Sequence, residues 1–234
     1  MIAIILNSGM GSRLGDLTKN NPKSLVNLKD DETIFSRAIS ILSKFNISEY
    51  IITTGYLDNV LKEYIKHNFP NFKFIFVHNE LFDQSNYIKS MDLIQELDDD
   101  IILLHGDLVF NMETATKIIN NPNSCVVIDS SVKIPKDDFK AKVIDNKIKY
   151  IGVDYFEEDA VACQPFYKLK NEDWKIWKKK IQEFCENGEV NVYAENALNT
   201  LLNKLQIGAI DINGELCMEI DTKSDLNNVR EILK

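Results

Sequence analysis

Ile2-Ala3-Ile4-Ile5-Leu6-Asn7-Ser8-Gly9-Met10-Gly11-Ser12-Arg13-Leu14, followed by Asn21-Pro22-Lys23-Ser24-Leu25, decides how this chain is read. A short run that is apolar at every position reads as a strand buried on both faces. It empties into a loop with two glycines and one arginine, and a Pro-Lys pair follows ten residues later. Such a loop offers backbone N–H groups and two cations at the end of a strand, where an open α/β sheet binds a polyphosphate. Two better-known phosphate loops are excluded. A P-loop requires a Gly-Lys pair that Gly9 and Gly11 lack, and the dinucleotide fingerprint requires a third glycine where Leu14 stands.

Around this stretch the chain alternates strand and helix. Strands are expected over Ile2–Asn7, Tyr50–Thr54, Phe72–Val77, Ile101–His105 and Cys125–Asp129. Helices are expected over Ile34–Lys44, Leu57–His67, Asn86–Leu97 and Glu113–Asn120. Alternation of this kind builds a mostly parallel sheet with helices on both faces. After residue 130 the pattern changes to a hairpin, Lys140–Asp145 and Lys147–Val153, around Asp145-Asn146. A strand follows at Val161–Leu169 and an amphipathic helix at Glu172–Glu186, whose Trp174 and Trp177 read as packing residues. Further helices are expected at Asn191–Leu205 and Thr222–Leu233, with an extended Ile207–Ile212 between them. The 234 residues suit one domain, residues 1–130 forming a nucleotide-binding half and 131–234 an acceptor-binding half with a closing helix.

Composition narrows the function. A net charge of −9 argues against nucleic acid as a partner. No apolar run reaches membrane-spanning length, and the N-terminal run lacks the flanks of a signal peptide. Four scattered cysteines (Cys125, Cys163, Cys185, Cys217) with no C-x-x-C pair fit a reducing cytoplasm better than a zinc site or disulfide framework. An acidic chain that binds polyphosphate must place its cations locally or recruit a metal, which draws attention to Arg13 and Lys23. Asp107, just past the Ile101–Leu104 run, would sit at the mouth of the sheet. Asp221 lies at the start of the last helix, where it reads either as an N-cap or, with Asp107, as a ligand of one Mg²⁺.

The stretch Leu6, Gly9, Gly11, Arg13, Leu14, Leu17, Thr18, Pro22, Lys23 resembles the signature of sugar-nucleotide-pyrophosphorylase-type nucleotidyltransferases, with Asn7 and Ser8 replacing two alanines. Gly106-Asp107 and Glu219-Ile220-Asp221-Thr222 are similar to that family's two acidic motifs. The resemblance implies a Rossmann-like mixed sheet of the nucleotide-diphospho-sugar transferase type and Mg²⁺ held by Asp107 and Asp221. It implies nucleotide contacts from Leu6, Asn7, Ser8, Gly9, Met10, Gly11, Ser12, Arg13 and Lys23. Lys23 and Arg13 are the catalytic candidates, Lys23 on the α-phosphate and Arg13 on the leaving pyrophosphate. His105 would support this site without reacting.

Asn86-Tyr87-Ile88-Lys89-Ser90-Met91 resembles the N-N-x-Y-S-L segment of the compact cytidylyltransferases, which act on phosphocholine, 2-aminoethylphosphonate or phosphorylated glutamine. Asn86 and Ser90 match and join the nucleotide-binding set. Tyr56, in a Gly-Tyr pair common to the family, reads as a support for the base or as a structural aromatic. Lys89 replaces an aromatic residue. It would repel a quaternary ammonium and attract an acidic group, and it reads equally as a solvated helix residue. Glu195, in a segment resembling Y-W-D-N, would face an acceptor amine. The expected activity is therefore CMP transfer from CTP to a small phosphorylated amine or amino acid, glutamine phosphate among the candidates, in capsule or surface polysaccharide modification. The alternatives are a sugar-1-phosphate enzyme using UTP, dTTP or GTP, and an inactive nucleotide sensor. The sequence leaves the oligomeric state open, a homodimer included.

Overall fold

The apolar run Ile2–Leu6 has no polar face, and the structure gives it none. Ile2, Ile4 and Leu6 enter one core while Ala3 and Ile5 enter another on the opposite side of the same sheet. This computed structural model describes residues 1–234. Strand β1 (Ile2–Asn7) leads through 3-10 turns at Ser12–Leu17 and Lys23–Leu25 into a small hairpin, β2 (Asn27–Lys29) and β3 (Glu32–Thr33). Next come α1 (Ile34–Leu42), β4 (Glu49–Thr54), α2 (Asp58–Asn68), β5 (Phe74–His78), α3 (Tyr87–Asp92), β6 (Ile101–His105), β7 (Leu108–Phe110), α4 (Met112–Ile119) and β8 (Cys125–Asp129). The second half runs β9 (Lys140–Ile144), β10 (Lys147–Gly152), β11 (Ala160–Leu169), α5 (Asn171–Glu186), α6 (Ala194–Asn199), β12 (Gly208–Asp211), β13 (Cys217–Glu219) and α7 (Lys223–Ile232).

Nine strands form one mixed sheet in the order β5-β4-β1-β6-β11-β8-β12-β10-β9. The pairs β5–β4, β4–β1, β1–β6 and β8–β12 are parallel. β11 runs antiparallel to both its neighbours, and β10 to both of its own. The chain builds outward from β1 through β4 to β5, then crosses back to lay β6 on β1's other side. That reversal opens a crevice at the carboxyl ends of β1 and β6. β9 also pairs with the start of β11, so β11, β8, β12, β10 and β9 close into a ring. The β9–β10 turn carries Asp145 and Asn146 at φ 51° and 57°, the left-handed pair that a two-residue hairpin requires.

One face of the sheet is covered by α1, α2 and α4 and the other by α3, α5 and α6. Trp174 and Trp177 are buried in the second of these cores, and the Trp177 indole donates to Ala194 O at 3.0 Å. Two expected helices are shorter in the structure. α3 ends at Asp92, and only Ala194–Asn199 of the 191–205 stretch is α-helical, the rest being turns. Leu198, Leu201, Leu202 and Leu205 are buried as their spacing demands, but turns deliver them as well as a helix would. No helix is long and apolar enough to cross a membrane.

Candidate active site

Asp107 and Asp221 are far apart in sequence and adjacent in space because two three-residue strands pair. Asp107 lies two residues past the end of β6. β7 then pairs antiparallel with β13, with Leu108 opposite Glu219, and Ile220 N donates to Asp107 O at 3.0 Å. Val109 and Ile220 are buried in a small separate core with Leu14, Val26, Leu226 and Val229. The same core therefore anchors the loop that carries Arg13, the strand after Asp107 and the segment before Asp221. Asp221 does not cap α7. Thr222 does so in a capping box with Asp225, which leaves the Asp221 carboxylate for other partners.

Those partners are the two cations of the N-terminal motif. Lys23 Nζ lies 2.5 Å from Asp107 Oδ2 and 2.6 Å from Asp221 Oδ1. Arg13 Nη2 lies 2.7 Å from Asp221 Oδ1. Burial works against the Lys23 ammonium, but the two carboxylates outweigh it and hold its pKa above the ordinary lysine value. Burial likewise opposes the Asp107 carboxylate, and Lys23 and His105 overcome it, holding its pKa below the usual range. Gly11 sits at φ 62°, and a Cβ there would meet Lys23 Cβ at 2.9 Å, so glycine lets the loop close over the lysine.

The crevice is a cavity of about 420 Å³ at the ends of β1 and β6. Leu6, Asn7, Ser8, Gly9, Gly11, Ser12, Arg13 and Lys23 all line it, as do Asn86, Ser90, Asp107 and Asp221. Its floor is a chain of hydrogen bonds. Asn79 Nδ2 donates to Ser90 Oγ at 3.0 Å, Ser90 to Ser8 at 2.8 Å, and Ser8 to Thr53 at 3.0 Å. Asn7 Nδ2 is buried with no partner in the protein. Asn86 caps α3, its side chain accepting from Tyr87 N at 2.7 Å. Met10 is exposed and outside the lining. Tyr56 stands behind the wall, its hydroxyl donating to Lys19 O at 2.7 Å and its ring beside Phe82, which does line the cavity.

Neither of the two expected acceptor residues lines the cavity. Ser90 faces the cavity, so Lys89, one residue round the helix, points elsewhere and pairs with Asp92 at 2.8 Å. Glu195 is only 2 % exposed and lies beneath the cavity wall. Its carboxylate accepts from Tyr167 Oη at 2.9 Å and from the hydroxyl of Tyr87. It thereby supports Tyr87, which lines the cavity, and has no open face for an amine.

Several lining residues escaped the sequence reading: Asn79, Phe82, Tyr193 and the run Asp137-Asp138-Phe139. They come from segments without regular structure or from helix margins, where no periodicity marks them. Glu219 is another. Its Oε1 lies 2.9 Å from His105 Nδ1. Burial and the neighbouring Asp107 raise the Glu219 pKa to about 6, against the pull of His105. Burial opposes the imidazolium of His105, and Glu219 and Asp107 reverse this, raising its pKa.

The donor set fits a hard divalent cation. Asp107 Oδ1 is buried with no hydrogen-bond partner, and ligand atoms of His105, Asp107 and Glu219 lie within 4.8 Å of one another. Asp221 lies outside that group and is linked to Asp107 through Lys23 Nζ. Carboxylate oxygens beside a phosphate loop are the ligands that Mg²⁺ takes when it is shared with a nucleotide.

A mixed α/β sheet with a glycine loop, a cation pair and two convergent carboxylates at its switch point defines an enzyme that transfers nucleotidyl groups. The family model for nucleotidyl transferases matches residues 2–134, more than half of the chain, and the chain belongs to that family. A CTP:phosphoglutamine cytidylyltransferase of Campylobacter jejuni is 29 % identical over 97 % of this chain and 98 % of its own length. A choline-phosphate cytidylyltransferase of Streptococcus pneumoniae is 24 % identical over 100 % of the chain and 99 % of its own length. Among solved structures, a CTP:phosphocholine cytidylyltransferase from Streptococcus pneumoniae superposes with a TM-score of 0.80 at 22 % identity, covering 100 % of this chain and 99 % of that one. An inositol-1-phosphate CTP transferase from T. maritima gives 0.79 at 20 % identity, covering 99 % and 94 %. These superpositions carry the fold.

Proposed function

We propose that this protein is a Mg²⁺-dependent cytidylyltransferase. It transfers CMP from CTP to a small phosphorylated amine or amino acid, glutamine phosphate among the candidates, and releases pyrophosphate, in a route that modifies surface polysaccharide. The observation that carries the reading is the meeting of Arg13, Lys23, Asp107 and Asp221 at the glycine loop. The choice of CTP is supported by the relatives named above.

An acceptor phosphate oxygen attacks the α-phosphorus, and the bond to the bridging oxygen of pyrophosphate breaks. The attacking oxygen is already an anion, so no strong base is needed, and the protein's work is positioning and charge neutralisation. Asp107 and Asp221, with Glu219 beside them, would hold Mg²⁺, which supplies charge neutralisation to the phosphates. Lys23, released from the carboxylates, turns to the α-phosphate and the attacking phosphate. Arg13 and the N–H groups of the 9–13 loop hold the β- and γ-phosphates until pyrophosphate leaves. The polar floor of Asn79, Ser90 and Ser8, with Asn7 Nδ2 unpaired above it, offers hydrogen bonds to a base and ribose.

The acceptor end is assigned to Asp137 and Asp138 with Phe139 and Tyr193, in place of Lys89 and Glu195. Burial, then Asp221 and Asp225, raise the Asp138 pKa. A cationic group brought beside it relieves that cost, and the aromatic faces add cation–π attraction. The test is pyrophosphate release with Mg²⁺, each of the four NTPs and a panel of phosphocholine, 2-aminoethylphosphonate, phosphoglutamine and sugar 1-phosphates. Release with CTP and a nitrogen-bearing acceptor is the expected result. Release only with a sugar 1-phosphate rejects the acceptor reading, and no release with any pair rejects the catalytic one.

A further inference from the structure

Lys140 is an enclosed lysine whose ammonium touches no carboxylate. It opens β9 and is 0 % exposed. Its three N–H groups go to three main-chain carbonyls: Lys136 O at 3.1 Å, Asp138 O at 2.9 Å, and Val153 O. The face of the Phe156 ring lies 4.0 Å from Nζ, and Phe156 is itself 60 % exposed, so this ring stands between the ammonium and water. A buried ammonium is tolerated only when all its donors are met. Here they are met entirely by two segments without helix or strand, residues 131–139 and 153–159.

The first segment carries Asp137, Asp138 and Phe139, and the second begins at Val153; all four line the cavity. Between Val132 and Asp138 the only hydrogen bonds made by the main chain are those that Lys140 donates. Phe139 is tied separately, its carbonyl accepting from Cys163 N at 3.0 Å, so Lys140 is what holds residues 132–138 to the end of β10. The carbonyls it draws inward are those just before Asp137 and of Asp138 itself.

We propose that Lys140 is the positioning residue of the acceptor wall, a pin whose three carbonyl contacts set the placement of Asp137 and Asp138 and so the preference for a cationic acceptor. The proposal rests on the reading of this cavity as a cytidylyltransferase site with a nitrogen-bearing acceptor. Phe156 is the pin's cover, contributing by keeping water off the ammonium.

The test compares wild type with Lys140→Met, which keeps the stem and removes the donors, and with the surface change Phe156→Ala. The first readout needs no substrate: the rate of tryptic cleavage after Lys133 and Lys136, both exposed in the same segment. Lys140→Met is expected to raise it about tenfold or more, as for a segment whose middle residues lose their hydrogen bonds. The second readout is kinetic. The KM for the acceptor is expected to rise about tenfold, while the KM for CTP and kcat at saturating acceptor change by less than about twofold. Phe156→Ala is expected to show the same pattern at smaller size, and it decides the matter if Lys140→Met does not yield folded protein. Unchanged cleavage, or a rise in both KM values together, overturns the proposal. If wild type turns over no acceptor of the panel, the functional reading fails while the cleavage comparison still decides the role of Lys140.

Discussion

At the scale of single residues, Asp107 keeps one oxygen on Lys23 and leaves the other buried without a partner. Leaving such an oxygen unmet costs about 1–3 kcal/mol, so its retention points to a ligand. In the proposed reaction Asp107→Asn and Asp221→Asn should each lower kcat by about 10²–10³-fold. Each leaves one carboxylate on Lys23, so the thermal midpoint should change little. Steady-state turnover beside a melting curve checks both, and turnover near the wild-type rate in either variant would remove that residue from the metal set. Glu219 and His105 carry a pH signature. Both have raised pKa values, so both contribute stability at acid pH that is lost as pH rises, across pH 4.5 to about 6 for Glu219 and above 6.5 for His105. Wild type should therefore lose stability relative to Glu219→Gln between pH 4.5 and 7, read from denaturant midpoints, and parallel curves would contradict the assignment. Arg13, Lys23, Asp107 and Asp221 stand out in the sequence as cations and carboxylates placed at strand ends, and the structure brings the four side chains together. The placement of Lys89 on Asp92 and of Glu195 beneath the wall was not legible, because residue type does not say which way a helix faces.

At the scale of elements, the site depends on β7 and β13, each three residues long. Strands this short carry no readable alternation, and their pairing joins parts of the chain that no local pattern connects. The parallel strands and long helices were legible because burial on one or two faces imposes a period. The hydrogen-bonded positions of the β7–β13 pair alternate, and Met218 faces Val109 between the flanking bonds at Ile220 and Asn111. Met218→Pro should remove a ladder donor and shift Asp221 against Asp107. A shift on the order of an ångström is expected to cost about 10²-fold in turnover. Far-UV circular dichroism should stay close to wild type, because the nine-stranded sheet does not include β13. Unimpaired turnover would mean that another contact positions Asp221.

For the whole molecule, the sheet's two cores and the small core under the Arg13 loop meet around one cavity, so ligand binding there should be felt as global stability. With Mg²⁺ and CTP at about 100 times Kd, the gain should be about 2.7 kcal/mol. For a chain of this length that is a rise in Tm of roughly 2–4 °C per kcal/mol. A thermal-shift assay with CTP, UTP, GTP and dTTP checks this and ranks the bases. Equal shifts for all four would count against base selection at the Ser8–Ser90–Asn79 floor. Alternation made the parallel strands of the first half legible, while the mixed character of the sheet followed from the family resemblance. The ring closed by β9 on β11 was not legible, because closure depends on how far a sheet curls rather than on any one strand.

The contact of Lys23 with both carboxylates also bears on the order in which ligands arrive. A bare divalent cation entering this site must evict an ammonium that then has no anion to meet. A cation arriving on a triphosphate brings that anion with it. The resting enzyme thus discriminates by company rather than by identity: free Mg²⁺ should shift the melting temperature little, CTP alone modestly, and the two together by more than the sum of the separate shifts. Strictly additive shifts would show that Lys23 does not guard the site.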